Sequence, residues 1–142
     1  MIDFHTHPVL ISEFAAKYPN YARVAREVFN IGNNFQPIET FFLQMDVAGI
    51  EKAVLLPIDC KRARKEAVSS NEQVAELCAM SKRFIGFASV DPEKKGAARE
   101  LENAVKKMGL KGLKLDPALQ DFRPHDRKAM AVYEAAAGLG IP

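Results

Sequence analysis

Asp3, His5 and His7 stand at alternate positions of the run Ile2-Asp3-Phe4-His5-Thr6-His7. Side chains alternate along a strand, so a strand here would turn Asp3, His5 and His7 to one face and Ile2, Phe4 and Thr6 to the other. Two neutral imidazoles converging in this way suit zinc, manganese or iron. The plainer alternative is a pair of polar residues closing a strand. A catalytic zinc takes three protein ligands and an open position, so the pair by itself is an incomplete site. The remaining histidine, His125, lies in Phe122-Arg123-Pro124-His125-Asp126 at an expected helix start and reads as a solvated loop residue.

A second group of polar residues follows the other apolar runs. Asp59 and Cys60 end the second run and precede the basic stretch Lys61-Arg62-Ala63-Arg64-Lys65. A solvated basic turn is the simple explanation. The functional one is that Arg62 or Arg64 grips a substrate carboxylate in bidentate fashion, which would suit acidic metabolites. Lys114 alternates with Leu113 and Leu115 near the barrel mouth, where it would pair with a carboxylate or simply cap the strand. Asp91 and Asp116 each precede a proline, where a turn-forming role is as good an explanation as a chemical one.

The elements that must position these residues come from periodicity. Apolar runs at 2–6, 53–58, 84–90 and 112–115 read as strands, each followed by an amphipathic stretch, and this alternation signals a parallel α/β sheet. Leu101, Ala104, Val105 and Met108 fall on one helical face before Gly109, a left-handed stop. Ser70 and Gln73 have capping-box spacing ahead of Val74, Leu77 and Cys78. Phe41, Phe42, Met45 and Ala48 repeat the pattern before Gly49, as do Met130, Tyr133 and Ala137 before Gly138. Helix from Ser12 to Phe29, broken near Pro19, would be inserted after the first strand, and the long first connection would serve as a lid or pocket wall.

These units make one α/β domain over residues 1–142, with four of the eight units of a (β/α) barrel, which takes about 250 residues. The expectation is half a barrel, ending where a fifth strand would begin. Its first and fourth strands would have unpaired edges, and Phe4, Val54, Leu56, Phe87 and Leu115 would lie on faces needing partners, which predicts a homo-oligomer. Composition is that of an ordinary globular chain, 48% hydrophobic and 27% charged. Twenty basic and 18 acidic residues leave a net charge of +2, too small for a nucleic-acid footprint or a membrane-surface protein. No run approaches the ~18 apolar residues of a membrane span, and the expected location is the cytoplasm, with Cys60 and Cys78 as free thiols.

Four segments carry a resemblance. They are Ile2-Asp3-Phe4-His5-Thr6-His7-Pro8, Met45-Asp46-Val47-Ala48-Gly49-Ile50-Glu51-Lys52-Ala53-Val54-Leu55, Arg83-Phe84-Ile85-Gly86-Phe87-Ala88-Ser89-Val90-Asp91-Pro92, and Gly109-Leu110-Lys111-Gly112-Leu113-Lys114-Leu115-Asp116-Pro117. In order and spacing the chain resembles the N-terminal half of the amidohydrolase-related family, the branch that includes aminocarboxymuconate-semialdehyde decarboxylase and resorcylate decarboxylase. The resemblance implies a divalent metal, zinc first with manganese or iron as alternatives, at the mouth of a (β/α)8 barrel. His5 and His7 match the first two ligands. A histidine ending strand five, an aspartate ending strand eight and a catalytic histidine on strand six would fall beyond Pro142. Other branches of the superfamily carry a carbamylated lysine on strand four, and Lys114 is the residue that would correspond.

The activity so implied is metal-dependent hydrolysis or non-oxidative decarboxylation of a small, carboxylate-bearing metabolite. Asp59, Arg62, Arg64 and Lys114 are the candidate substrate contacts. Nucleases of the TatD type also open on Asp-x-His-x-His, but they would require a glutamate in the following strands, and 84–91 and 111–116 have none. The alternative from a different class is a catalytically inactive half barrel serving as an oligomerising or interaction module.

Overall fold

The computed structural model describes residues 1–27, 30–32 and 34–142. Three parallel strands, β1 (Ile2–Thr6), β2 (Lys52–Leu55) and β3 (Phe84–Gly86), pair in chain order, and this is the α/β architecture expected. β1 matches its apolar run, whereas β2 and β3 stop short of the ends of theirs. Pro57 has no amide hydrogen to contribute, and β2 stops before it. Beyond Gly86 the chain continues beside residues 111–114, with Lys111 N–H donating to Gly86 O, Ala88 N–H to Gly112 O and Lys114 N–H to Ala88 O, each at 2.7 Å. The expected fourth strand is thus a bonded extended segment in the expected place, not a regular strand.

The inserted helices are α1 (Ser12–Lys17) and α2 (Pro19–Glu27), divided at Pro19 as the sequence indicates; Val28 and Phe29 lie outside the described residues. α3 (Ile38–Val47) leads into β2, followed by a single turn, α4 (Lys61–Arg64), and by α5 (Asn71–Met80). The capping box is present: Ser70 Oγ accepts from Gln73 N–H while Gln73 Oε1 accepts from Ser70 N–H. α6 (Ala97–Met108) ends at Gly109 with φ +74°, a conformation that costs glycine nothing. The short α7 (Pro117–Gln120) and α8 (Arg127–Gly138) complete the chain.

α8 corrects one expectation. Its buried face is Ala129, Val132 and Ala136, not Met130, Tyr133 and Ala137, and its left-handed stop is Gly140 rather than Gly138. The helix has two apolar faces. Tyr133 and Ala137 belong to the second, which borders a shallow apolar recess with Leu113, Leu115, Ile141 and Pro142.

The sheet has two dissimilar faces. Ala53, Leu55, Phe84 and Ala88 face the helices and join the main core with Val74, Leu77, Leu101 and Val132. On this side Gly86 lets the helices approach: a β-carbon there would lie 2.6 Å from Leu110 Cδ2 and 2.8 Å from Val74 Cγ1. On the other face Val54, Leu56 and Phe87 cluster with Ile85. These three are buried, contrary to the expectation that they await a partner, because the Phe87 ring lies across Gly112 and meets Phe4 edge-on at 5.7 Å. Phe4 itself remains 60% exposed.

Candidate metal centre

Simple alternation does not carry the histidines to their places. Asp3 pairs with Ala53 and Thr6 with Leu55, so three steps along β1 match two along β2, and the register shifts between them. This is a bulge, and it re-aims the side chains beyond it. Asp3 shares the side of Ala53, which faces the helices, so it does not share a face with the histidines as alternation predicts. Its carboxylate instead accepts the His5 amide hydrogen at 3.0 Å, fastening the irregular turn of chain. Asp3 supports the pair through the backbone.

Past the bulge the two rings meet. His5 Nε2 lies 3.1 Å from His7 Nε2, with ring planes 73° apart. His7 Nδ1 is 2.8 Å from the carbonyl oxygen of Leu56 at the end of β2. A carbonyl can only accept, so the His7 proton resides on Nδ1 and its Nε2 presents a lone pair. His5 Nε2–H is then the donor between the rings, and a cation held by both would take the place of that proton.

The electrostatics favour the neutral ligand form at His7. Burial is the main influence lowering its pKa; the Leu56 hydrogen bond opposes this, and the nearby charges of His5 and Lys114 reinforce it, while Asp116 acts the other way. Two nitrogens bound to one tetrahedral zinc at 2.0–2.1 Å stand about 3.3 Å apart, so the observed separation fits a shared ion with little adjustment. Among the described residues no third histidine, cysteine or carboxylate converges on the pair. A cavity of about 210 Å³ opens beside His7, lined by the first connection at Leu10, Ile11 and Gln36 and by α3 at Thr40 and Phe41. The two ends of the first connection, at Leu10, Ile11, Ile31 and Gln36, therefore form a wall of this cavity, while neither α1 nor α2 lines it.

The other candidate residues divide. Lys114 comes close enough to act on His7, whereas His125 is exposed on the loop before α8. Arg62 donates from Nε to Asp91 at 2.8 Å and from one terminal nitrogen to the carbonyls of Gln120 and Asp121, and Arg64 donates to Ala118 O at 3.0 Å. The basic stretch thus clasps α4 to α7. Asp59 is held by Lys94 Nζ at 2.5 Å. Sequence reasoning passed over Gln120, which is fully buried. Its Nε2 donates to Asp59 O (3.1 Å) and Val90 O (2.8 Å), and its Oε1 accepts from Asp116 N–H at 2.7 Å, so one amide ties the ends of three extended segments. A polar residue closing the single turn that Asp116-Pro117 opens was the one local sign of it.

With this geometry in hand, the solved structures that resemble the chain show its fold. An uncharacterised TIM-barrel protein of Bordetella bronchiseptica superposes with a TM-score of 0.72 at 21% identity, over 100% of this chain and 53% of that one. The 5-carboxyvanillate decarboxylase of Sphingomonas paucimobilis gives 0.67 at 18% identity, covering 99% and 50%. That of Novosphingobium aromaticivorans, with bound manganese and 3-methoxy-4-hydroxy-5-nitrobenzoic acid, gives 0.65 at 20%, covering 99% and 47%. The architecture is that of TIM-barrel proteins, and the chain spans about half the length of these neighbours. The Amidohydrolase family model matches residues 2–142, and the chain belongs to that family. No curated protein matches the sequence.

Proposed function

We propose that the chain provides the first two metal ligands, His5 and His7, of a metal-dependent hydrolase or non-oxidative decarboxylase acting on a small carboxylate-bearing metabolite. The observation that carries this reading is the 3.1 Å approach of the two Nε2 atoms, with His7 locked in the ligating tautomer by Leu56. Family membership and the decarboxylase neighbours support the reaction class. Zinc is the expected ion and manganese or iron the alternatives; manganese is the ion in the Novosphingobium neighbour. When bound, such an ion polarises a water or a substrate oxygen. The chain's own groups orient and charge the site: Leu56 holds the His7 ring, Asp3 holds the bulge, and Lys114 supplies positive charge for a substrate carboxylate. The half-barrel extent of the fold, its cytoplasmic location and its homo-oligomeric state belong to the same proposal.

The test is cobalt titration followed by visible absorption, on the parent chain, His5→Ala, His7→Ala and His125→Ala. Saturable binding lost in the first two variants and kept in the third supports the assignment. Equal binding by all four proteins, or none by the parent, overturns it. A second reading, an inactive interaction module, draws on the absence of a third converging ligand among the described residues and on exposed Phe4. Sedimentation at micromolar concentration, with assays of ester hydrolysis and CO2 release, separates the two.

A further inference from the structure

His7 borders two unlike neighbourhoods. One carries the positive charge of Lys114, close enough to act on the ring. The other is the cavity of about 210 Å³, which Lys114 does not line. Its walls are the apolar side chains of Val9, Leu10, Ile11 and Phe41 with the neutral polar ones of Thr40 and Gln44, and among the described residues no Asp, Glu, Lys or Arg borders it.

The walls are held from behind. Val9 and Ile11 are buried and belong to two separate core clusters. Gln36 N–H donates to Leu10 O at 2.8 Å and Ser12 N–H to Gln36 O at 2.9 Å, which closes the two ends of the first connection on each other. Opposite them, the Phe41 ring meets Phe84 of β3 at 5.7 Å, and Ile38 N–H at the start of α3 donates to Glu13 Oε1 at 3.3 Å. A cavity with walls fixed in this way exists before a ligand arrives, so binding costs little ordering of its lining.

Size and lining define the occupant. An apolar cavity of about 150 Å³ takes benzene, so this one has room for a ring with one or two further heavy atoms. A charged group placed in it would give up water and meet no counter-charge. Thr40 and Gln44 stand one turn apart on the same side of α3. Among the described residues neither the Thr40 hydroxyl nor the Gln44 amide has a protein partner, and Thr40 is half-buried and Gln44 exposed, so both are within reach of a ligand.

We propose that this cavity receives the uncharged end of the substrate, a ring or branched alkyl group carrying at most one hydroxyl or carbonyl, and that Thr40 and Gln44 are the residues that select it. The inference rests on the reading of His5 and His7 as the reactive end of the site. The substrate is then two-ended, with its carboxylate on the Lys114 side of His7 and its neutral end in the cavity.

The test titrates the metal-free whole chain with p-toluate, p-(hydroxymethyl)benzoate and terephthalate, followed by amide proton and nitrogen chemical shifts. The three probes share one ring and one carboxylate and differ at the far end. The first two are expected to bind saturably with shifts centred on residues 8–11 and 36–44, and terephthalate at least about 10-fold more weakly, because its second carboxylate enters an uncharged cavity. Gln44→Trp, at an exposed position where folding is not at stake, obstructs the cavity and is expected to weaken p-toluate about 10-fold. Thr40→Val with Gln44→Leu removes both hydrogen-bonding groups; p-(hydroxymethyl)benzoate is expected to lose about 10-fold while p-toluate is unchanged. Equal affinity for all three probes, shifts centred elsewhere, no binding of any probe, or variants that bind as the parent does would overturn the proposal. His5→Ala is expected to keep p-toluate binding and Gln44→Trp to keep cobalt binding, so failure of the cavity and failure of the metal assignment are read separately.

Discussion

Gln120 offers the sharpest test of how the mouth of this sheet is held. Gln120→Leu keeps the apolar stem and removes three side-chain hydrogen bonds, those to Asp59 O, Val90 O and from Asp116 N–H. Each such bond is worth about 1 kcal/mol net, but the stranded carbonyls of Asp59 and Val90 sit among buried residues, where an unmet polar group costs about 1–3 kcal/mol. The expected loss is about 3–5 kcal/mol, a large part of the 5–15 kcal/mol typical of a domain. In equilibrium urea unfolding, with a slope of about 1–3 kcal/mol/M, the midpoint should fall by at least about 1 M. Gln120→Glu preserves shape but turns an oxygen, in place of the amide nitrogen, toward the two carbonyls. It should be as damaging as leucine at pH 8 and less so at pH 4, where the protonated acid regains one donor. A loss below about 1 kcal/mol for Gln120→Leu, or native stability of Gln120→Glu at pH 8, would refute this account.

Further outcomes follow from other contacts. Gly86→Ala would bring a β-carbon to 2.6 Å from Leu110 and 2.9 Å from Cys78 Sγ, and should cost about 1–3 kcal/mol in the same urea assay. Arg62→Met strands the fully buried Asp91 carboxylate and should cost about 2 kcal/mol, below the 3–5 of a wholly buried pair because Arg62 reaches solvent; Asp91→Asn in the same background should recover part of it. Burial pushes the Cys78 thiol up to about 11, so at pH 8 its alkylation by iodoacetamide should run about 100-fold slower than that of a thiol at 9.0, and should accelerate on unfolding in urea. Glu100 has a raised pKa in the folded state, so folding is penalised once pH exceeds the carboxyl's unfolded value. Glu100→Gln should therefore raise the melting temperature at pH 7 and leave it unchanged at pH 3, where both states are protonated.

The sequence by itself determined what depends on neighbours along the chain. The βα alternation, the capping box at Ser70 and Gln73, the stop at Gly109 and the break at Pro19 are all short-range patterns, written in backbone preference and side-chain period. Tertiary structure decided whatever depends on register or on distant partners. Alternation alone placed Asp3 beside the histidines; pairing with β2 inserted a bulge that separates them, and local periodicity contains no record of that shift. The guanidinium of Arg62 could have met solvent, a substrate or Asp91, and only the packing of α4 against α7 selected the last. α8 carries two apolar faces, and the position of α6 chose Ala129, Val132 and Ala136 for the core. Gln120 became a tie among three segments because burial removed water from its amide, an event set by residues 30 and 61 positions away in sequence.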